Sequence, residues 1–420
     1  MSALPDRASA AALIAGAKSL YVSACAAEIP ELASLFRKHR PTDAIVTGIF
    51  SPLVNRRSYA DAEIGLRMRS FFITRQIREQ LASGLVEYCP WRYRTVDRWL
   101  TASGRFDTAL VMMSPPDARG HCSLGVQADF LPSFAGRVGR IVGFINPKMP
   151  RTHGDTFIEY ASLAATVDCD APLVTLQSRP PDEQAVAIAS RISGLVQDES
   201  TVQFGIGQIP SQVMVSLRQH RGLRVHSGII DDNILTLEAS GALDRSAPIV
   251  TGTAIGTTAL YGELGDAARF SFRAVAHTHA FGILSQLHRF TAVNSVLQVD
   301  LLGQMSAEAS GGALVASPGG LPDFVRGALE SEGGRSIIAV RARGAAGHPS
   351  GVVPLLAPSV PVTVASGDAD LIVTEFGAAH VRYLSLDERA AAIIAISAPE
   401  DRENLSREWD RLRRSILSGA

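Results

Sequence analysis

Seven short apolar runs punctuate the chain: AIVTGIF (44–50), TALVMMS (108–114), RIVGFIN (140–146), TVQFGIG (201–207), VNSVLQVD (293–300), SIIAVRA (336–342) and LIVTEFG (371–377). They read as buried strands alternating with helical patterns, which predicts an α/β fold with mostly parallel sheets covered on both faces. Residues 182–196 predict a helix, because 185, 188, 189, 192 and 195–196 are apolar at the spacing of one face and acids occupy the first turn. Just before it, Arg179-Pro180-Pro181 cannot continue a helix. A domain boundary is expected there, dividing the chain into 1–181 and 182–420. Near the carboxyl terminus, Leu405, Trp409, Leu412 and Ile416 predict a packed amphipathic helix over 403–416.

An internal repeat sharpens this picture. Asp117-x-x-Gly120-x-x-Ser123 recurs as Asp300-x-x-Gly303-x-x-Ser306, 183 residues on and again directly after a strand-like run. Ile29-Pro30 and Gly48-Ile49 recur as Ile209-Pro210 and Gly228-Ile229, displaced by 180 residues in each case. In both copies the proline is expected as the first residue of a helix, where its missing N–H costs nothing. The chain therefore reads as two related open α/β domains in tandem.

Composition narrows the function classes. With 46% hydrophobic and 19% charged residues, 40 basic against 41 acidic, the chain is globular and nearly neutral. It offers no global field for a nucleic acid or an anionic membrane, so an anionic ligand must be held by local geometry. Cys25, Cys89, Cys122 and Cys169 lie far apart, with neither a disulfide framework nor metal spacing. A reducing cytoplasm is the expected compartment and no metal is expected. The amino-terminal apolar stretch carries Asp6 and is broken by Lys18, so neither an export signal nor a membrane span is read.

Several constellations could carry chemistry. Gly205-Ile206-Gly207-Gln208-Ile209-Pro210 follows a strand and opens a helix, so it is either a ligand-facing turn with free N–H groups or a plain tight turn. Pro210 stands where a dinucleotide fingerprint would need glycine. Ser310-Gly311-Gly312 and Ser317-Pro318-Gly319-Gly320 flank a short apolar stretch and read as a ligand-facing loop, although without a phosphate-loop lysine. His277 and His279 have no third metal ligand nearby in sequence and read as packing or surface residues. His226-Ser227-Gly228 does not fit a nucleophile elbow. Asp231-Asp232 either serve proton transfer or begin the helix at Asn233.

In order, the motifs Val111-Met112-Met113-Ser114-Pro115-Pro116-Asp117, Gly154-Asp155-Thr156-Phe157, Gly205 to Pro210, His226-Ser227, Leu297 to Gln304, Gly319-Gly320 with Asp323 to Ala328, Val353-Pro354 and Val373 to Gly377 resemble the acetyl-CoA hydrolase/transferase family, and within it the 4-hydroxybutyrate and butyryl CoA-transferases. The resemblance implies two similar open α/β domains with the active site between them, an acyl-CoA as ligand, and a homo-oligomer, usually a dimer or tetramer. It places CoA or substrate against Gly205, Gly207, Gln208, Ser317, Gly319 and Gly320, whose loop N–H groups would polarise the carbonyl. Arg326 is a candidate for the phosphates.

The resemblance also marks a departure. The family's pattern H-S-E, in which the glutamate takes up the acyl group and then CoA, reads His226-Ser227-Gly228 here. Glycine has no side chain to acylate, so covalent catalysis from that position is excluded. The family's glycine loop, like S-G-V-G-G-Q, reads Ser317-Pro318-Gly319-Gly320-Leu321. Three functions follow: an acyl-CoA hydrolase that activates water without a glutamyl-CoA intermediate, a CoA-transferase with a relocated carboxylate, or a silent CoA-binding homologue or partner subunit. The candidate general bases are Glu28, at the place that mirrors Gln208 in the repeat, then Asp232 and His226.

Overall fold

The computed structural model describes residues 7–418 apart from 75, 104–105, 178–179, 266–268, 311 and 345–349. Asp6, Arg179 and Gly311, used in the reading above, lie outside the described residues. The chain forms two compact units. The first comprises Met1–Gln177, Gly228–Asp232 and Pro248–Thr278, and the second Ser178–Ser227, Asn233–Ala247 and His279–Ala420. The first switch falls near the Pro-Pro boundary, but the chain then returns twice to the first unit.

The first unit is built on a seven-stranded sheet of β1 (Ser19–Val22), β2 (Ile45–Gly48), β3 (Arg67–Ser70), β4 (Val86–Tyr88), β5 (Thr108–Met113), β6 (Arg140–Ile145) and β7 (Ala165–Asp168), in the order β4-β3-β2-β1-β5-β6-β7. Every pairing is parallel. All six residues of β5 are buried, as a central strand with both faces covered requires. Phe50, Phe71, Phe130, Phe134 and Phe144 fill its core, and Tyr21 meets Phe134 edge-on at 4.9 Å.

The second unit has a six-stranded sheet of β8 (Thr201–Phe204), β9 (Arg224–Val225), β10 (Thr291–Ser295), β11 (Arg335–Ala339), β12 (Leu371–Thr374) and β13 (Gly377–His380), ordered β9-β8-β10-β11-β12-β13. Only β13 is antiparallel. The run expected as one strand over 293–300 is two: β10 ends at Ser295, and Gln298–Asp300 pairs elsewhere, with Met305–Ser306 and Val352–Val353. The helix expected over 182–196 spans Glu183–Ser193, capped by the Asp182 carboxylate, which accepts from Ala185 N. The carboxyl-terminal helix Arg402–Ser418 buries Leu405 and Trp409, but Ile416, expected on the packed stripe, is exposed.

The duplication is structural. The order β2-β1-β5-β6-β7 of the first sheet repeats as β9-β8-β10-β11-β12 in the second. The two Asp-x-x-Gly turns match bond for bond. Asp117 Oδ1 accepts from Arg119 N and His121 N, both at 2.9 Å, and Asp300 Oδ1 accepts from Leu302 N at 3.1 Å and Gln304 N at 2.9 Å. Gly120 and Gly303 sit at φ +79° and +84°, which explains why both copies carry glycine there. The prolines depart from expectation: Pro30 precedes the helix Leu32–His39 by two residues, whereas Pro210 is the third residue of Gln208–Ser216. Both positions lie where a backbone N–H has no intrahelical partner to lose.

Candidate active site

In the first unit β1 runs into a 3-10 turn, Cys25–Ala27, that delivers Glu28. The turn is over-determined. Cys25 adopts φ +49°, a left-handed conformation costly for a side-chain-bearing residue. Asn55, fully buried, holds it there: Cys25 N donates to Asn55 Oδ1 at 3.0 Å, and Asn55 Nδ2 donates back to Cys25 O at 3.2 Å. The same Oδ1 accepts from Ser51 N at 2.7 Å, so one amide ties the loops after β1 and β2 together.

Glu28 is 9% exposed. Tyr59 Oη donates to its Oε1 at 2.6 Å. Burial, and then the Glu28 charge, push the Tyr59 phenol well above its usual value, so Tyr59 is the donor throughout the working pH range. Its ring is wedged against Phe36 and Phe50, at centroid distances of 6.0 and 5.5 Å. The carboxylate therefore has a fixed orientation and one constant partner.

Gly228 also belongs to the first unit, although it lies 50 residues beyond the switch into the second. Ile229–Ile230 pair in parallel with Thr253–Ala254, and Gly228 O accepts from Gly252 N at 3.2 Å and Thr253 N at 3.1 Å. Gly228 is not among the glycines with positive φ, so its backbone conformation is open to other residues. Asp232 ends this segment, immediately before the helix Asn233–Ala239. Its carboxylate is engaged across the turn, accepting from Thr257 N at 2.9 Å and from Thr257 Oγ1 at 2.5 Å.

A chain of hydrogen bonds brings this segment to the corner that holds Glu28. Ala26 O accepts from Val174 N at 3.3 Å, Val174 O from Tyr261 Oη at 2.7 Å, and Tyr261 Oη from Gly256 N at 3.3 Å. Burial pushes the Tyr261 phenol up to about 12, with the Asp232 charge adding to the shift. These hydrogen bonds join the segments that carry Glu28, Gly228 and Asp232 within one unit. Behind the Cys25–Ala27 turn lies Asp129, 3% exposed, whose carboxyl burial pushes up to about 7 while the amide of Gln127 offsets part of the shift.

The second unit contains a cavity of about 300 Å³ lined by Ile206 to Pro210, Ser295 to Gln298, Ser310, Arg341 and Gly344. The helix Gln208–Ser216 begins in its lining, where the Gln208 and Ile209 N–H groups have no intrahelical acceptor. Gly207 at φ +127° makes the sharp entry into that helix. Arg341 organises the wall: it donates to Asp182 Oδ1 at 2.9 Å, Gln184 Oε1 at 2.7 Å and Gln208 Oε1 at 2.8 Å. Gln208 Nε2 in turn donates to Pro180 O at 2.7 Å, so both ends of that amide are tied.

The remaining expected binding residues lie outside the lining of this cavity. Gly319 carries φ +55° and the loop Ser317–Gly320 leads into the helix Leu321–Glu330. A Cβ on Gly320 would lie 2.3 Å from His279 Nε2, whose ring packs on Phe324 at 4.4 Å. Packing against that imidazole therefore accounts for this glycine. Gly320→Ala is expected to lower stability by about 1–3 kcal/mol, the usual cost of overpacking, read as a fall in the denaturant midpoint at unchanged slope. Arg326 pairs with the Asp368 carboxylate at 3.4 Å. His226 is 3% exposed and sits edge-on to Phe290 in the second unit. His277 lies on the short helix Val275–Thr278 of the first unit, so the two imidazoles read as a pair fall in different units. Among the described residues there is no cluster of three or more His, Cys, Asp or Glu suited to a metal, and no helix long and apolar enough to cross a membrane.

Sequence reasoning missed Asn55, Tyr59 and Arg341. None belongs to a motif, and each acts on a residue 30 or more positions away. Only the Asn-Arg-Arg-Ser-Tyr stretch after the first apolar run, polar where a connection between elements is usually short, hinted that the loop has a task.

Comparison with known proteins places these features. The acetyl-CoA hydrolase/transferase N-terminal domain matches residues 37–188 and the C-terminal domain of the same family matches 256–409. The 4-hydroxybutyrate coenzyme A transferase of Clostridium kluyveri is 31% identical over 82% of this chain and 82% of its own. An acetyl-CoA hydrolase of Neurospora crassa is 27% identical over 56% of this chain and 47% of its own. The crystal structure of RipA from Yersinia pestis superposes with a TM-score of 0.87 at 28% identity, over 97% of this chain and 96% of that one.

Proposed function

The chain belongs to the acetyl-CoA hydrolase/transferase family, and from that premise we propose that it is an acyl-CoA hydrolase in which Glu28 activates water and no glutamyl-CoA intermediate forms. The observation that carries this reading is the Glu28–Tyr59 pair. A carboxylate 9% exposed and held by one phenol at 2.6 Å lies in the same unit as Gly228, the position where the family resemblance leads one to look for the glutamate.

The chemistry balances with these groups. Glu28 takes a proton from water as the water oxygen attacks the thioester carbonyl. The tetrahedral adduct then expels the CoA thiolate by breaking the C–S bond, and the protonated Glu28 returns its proton to that sulfur. Tyr59 keeps the carboxylate aimed and partly dehydrated. Within the second unit, the cavity at the start of Gln208–Ser216 offers backbone N–H groups that suit an anionic ligand. Asp232 is a poorer base, since Thr257 occupies both its oxygens.

Relatives of both kinds exist, transferases and hydrolases, so the discriminating experiment offers acyl-CoAs with and without acetate and follows thiol release together with acetyl-CoA. Thiol release independent of acetate is the expected result. Acetyl-CoA formation would instead identify a transferase with its carboxylate relocated, and CoA binding without turnover a silent homologue.

A further inference from the structure

The first unit encloses a small cavity of about 10 Å³, lined among others by Tyr21, Ser23, Ala27, Met112, Gln127 and Asp129. We propose that this cavity is a site for one internal water, and that the water and the Asp129 carboxyl position the ribbon that carries residue 228. The proposal goes beyond the acyl-CoA reading, and none of its measurements needs turnover.

A space of this size admits one water, which is held where several buried polar groups lack partners. Asp129 is 3% exposed, and the one hydrogen bond its carboxyl makes to a described residue comes from Gln127 Nε2 at 3.3 Å. Tyr21 is 4% exposed, and its phenol has no hydrogen bond to a described residue. Ser23 Oγ accepts from Met112 N at 3.1 Å, which leaves its own proton uncommitted. Unmade hydrogen bonds at buried groups are costly. One water answers all three groups, accepting from the two hydroxyls and donating to a carboxyl oxygen.

Asp129 stands across one strand from Gly228. Asp129 N donates to Gly252 O at 3.2 Å, and Gly252 N donates to Gly228 O at 3.2 Å. Gln127 forms a bridge with Thr253, Ala254 N donates to Val126 O at 2.9 Å, and Thr253–Ala254 pair with Ile229–Ile230. Residues 126–129, 252–254 and 228–230 are therefore neighbouring segments of one ribbon. A Cβ on Gly252 would lie 3.7 Å from Asp129 Oδ1, 3.0 Å from Gly228 O and 3.5 Å from Arg273 O. The carboxyl shares this space with two carbonyl oxygens, which repel a carboxylate and accept a carboxylic acid as neighbour. Its direction is fixed by the backbone: Asp129 holds φ +45°, and its carbonyl accepts from Val275 N at 2.7 Å.

The titratable neighbours offer no cation to hold a charge on Asp129. Burial first, and then the Asp129 charge, push the Tyr21 and Tyr93 phenols and the Cys25 thiol upward, so all three stay neutral. On the helix Tyr93–Ser103, Arg94 is paired with Asp97, whose charge raises the Asp129 carboxyl further. The helix Val275–Thr278 brings His277, which burial and then Arg273 shift downward, with Arg273 itself bound to Asp155.

The test compares the full chain with Asp129→Asn, which keeps the size, tolerates positive φ and cannot ionise. Because burial holds the folded carboxyl at about 7 against an ordinary 3.8, the folded state keeps a proton that the unfolded chain has lost. Its stabilising effect is complete below the ordinary value and is lost as the pH rises through the folded one. The readout is hydrogen exchange of the Gly252 and Thr253 amides, which donate to Gly228 O. The ratio of wild-type to variant exchange rates is expected to grow about 10- to 100-fold between about pH 5 and about pH 8. Amides of β10, in the second unit, should keep a constant ratio. A ratio flat with pH at Gly252 and Thr253, or growing equally at β10, overturns the positioning role. Tyr21→Phe keeps the ring against Phe106 and Phe134 and removes one partner of the water. It is expected to speed exchange of the same two amides about 3- to 10-fold at about pH 5, where Asp129 is neutral. This variant carries the exchange test if Asp129→Asn does not fold, and no change in it overturns the part given to the water. A crystal structure that resolves ordered solvent is expected to show one water within hydrogen-bond distance of an Asp129 carboxyl oxygen and Tyr21 Oη. A dry cavity overturns the site.

Discussion

Glu28→Gln is expected to reduce acyl-CoA hydrolysis about 10²- to 10⁴-fold, the usual contribution of a positioned general base, with CoA affinity unchanged. Glutamine is close to isosteric, and its carbonyl oxygen can still accept from Tyr59 Oη, so the packing around the 2.6 Å bond is kept and only proton uptake is lost. The fold should survive, which a matching thermal unfolding curve would establish. Tyr59→Phe tests the partner. It removes the donor but leaves the ring between Phe36 and Phe50, so a smaller loss is expected, about 10-fold, through misorientation of the carboxylate. Steady-state thiol release measures both. A Glu28→Gln protein that keeps more than a tenth of the wild-type kcat places the base elsewhere and sinks the hydrolase mechanism.

The second large effect is a gain. Gly228→Glu is expected to turn an acetate-independent enzyme into one that forms acetyl-CoA from an acyl-CoA and acetate. In the chemistry implied by the family resemblance, the introduced carboxylate attacks the acyl carbonyl, CoA leaves, and CoA then attacks the resulting anhydride. A carboxylic acid is released and CoA remains on the protein as a thioester. The backbone permits the change, because Gly228 is not held at positive φ and its carbonyl is fixed by Gly252 N and Thr253 N whatever the side chain. Intact-protein mass spectrometry should show an adduct of one CoA that the wild type lacks and that borohydride removes. A variant that folds and binds CoA yet forms neither adduct nor acetyl-CoA would mean that the surroundings have diverged beyond this one residue.

These two experiments meet in a single unit, and their outcomes are linked through it. Glu28 and Gly228 are 200 positions apart in sequence, and the hydrogen bonds through Ala26, Val174, Tyr261 and Gly256 join their segments. If Glu28 is the base, the double variant Glu28→Gln, Gly228→Glu should transfer but no longer hydrolyse.

Much of the scaffold was legible from local pattern alone. The runs at 108–114, 140–146 and 371–377 are strands, as short continuous apolar stretches rich in β-branched residues suit strands covered on both faces, and β5, β6 and β12 lie inside their sheets. Short strands such as β1, with four residues behind a helix, and β4, with three, carry too few apolar positions to announce themselves. The run at 293–300 misled for a related reason: apolar character continues through Val296 and Leu297, whereas the hydrogen-bonding partner changes there, and periodicity is blind to partners.

The sequence by itself determined the α/β class, the duplication and the absence of a side chain at position 228. Each is a property of residue type and order: apolar runs, an Asp-x-x-Gly turn that must reform wherever it recurs, and a side chain that is or is not present. Tertiary structure alone decided which groups share a site. It returned 228–232 to the first unit, assigned Asp232 to Thr257 and Arg326 to Asp368, and buried Glu28 against Tyr59. Those outcomes depend on which distant segments the sheet order makes neighbours, and on whether burial leaves a charge paired, and neither is encoded in any window of the chain short enough to read.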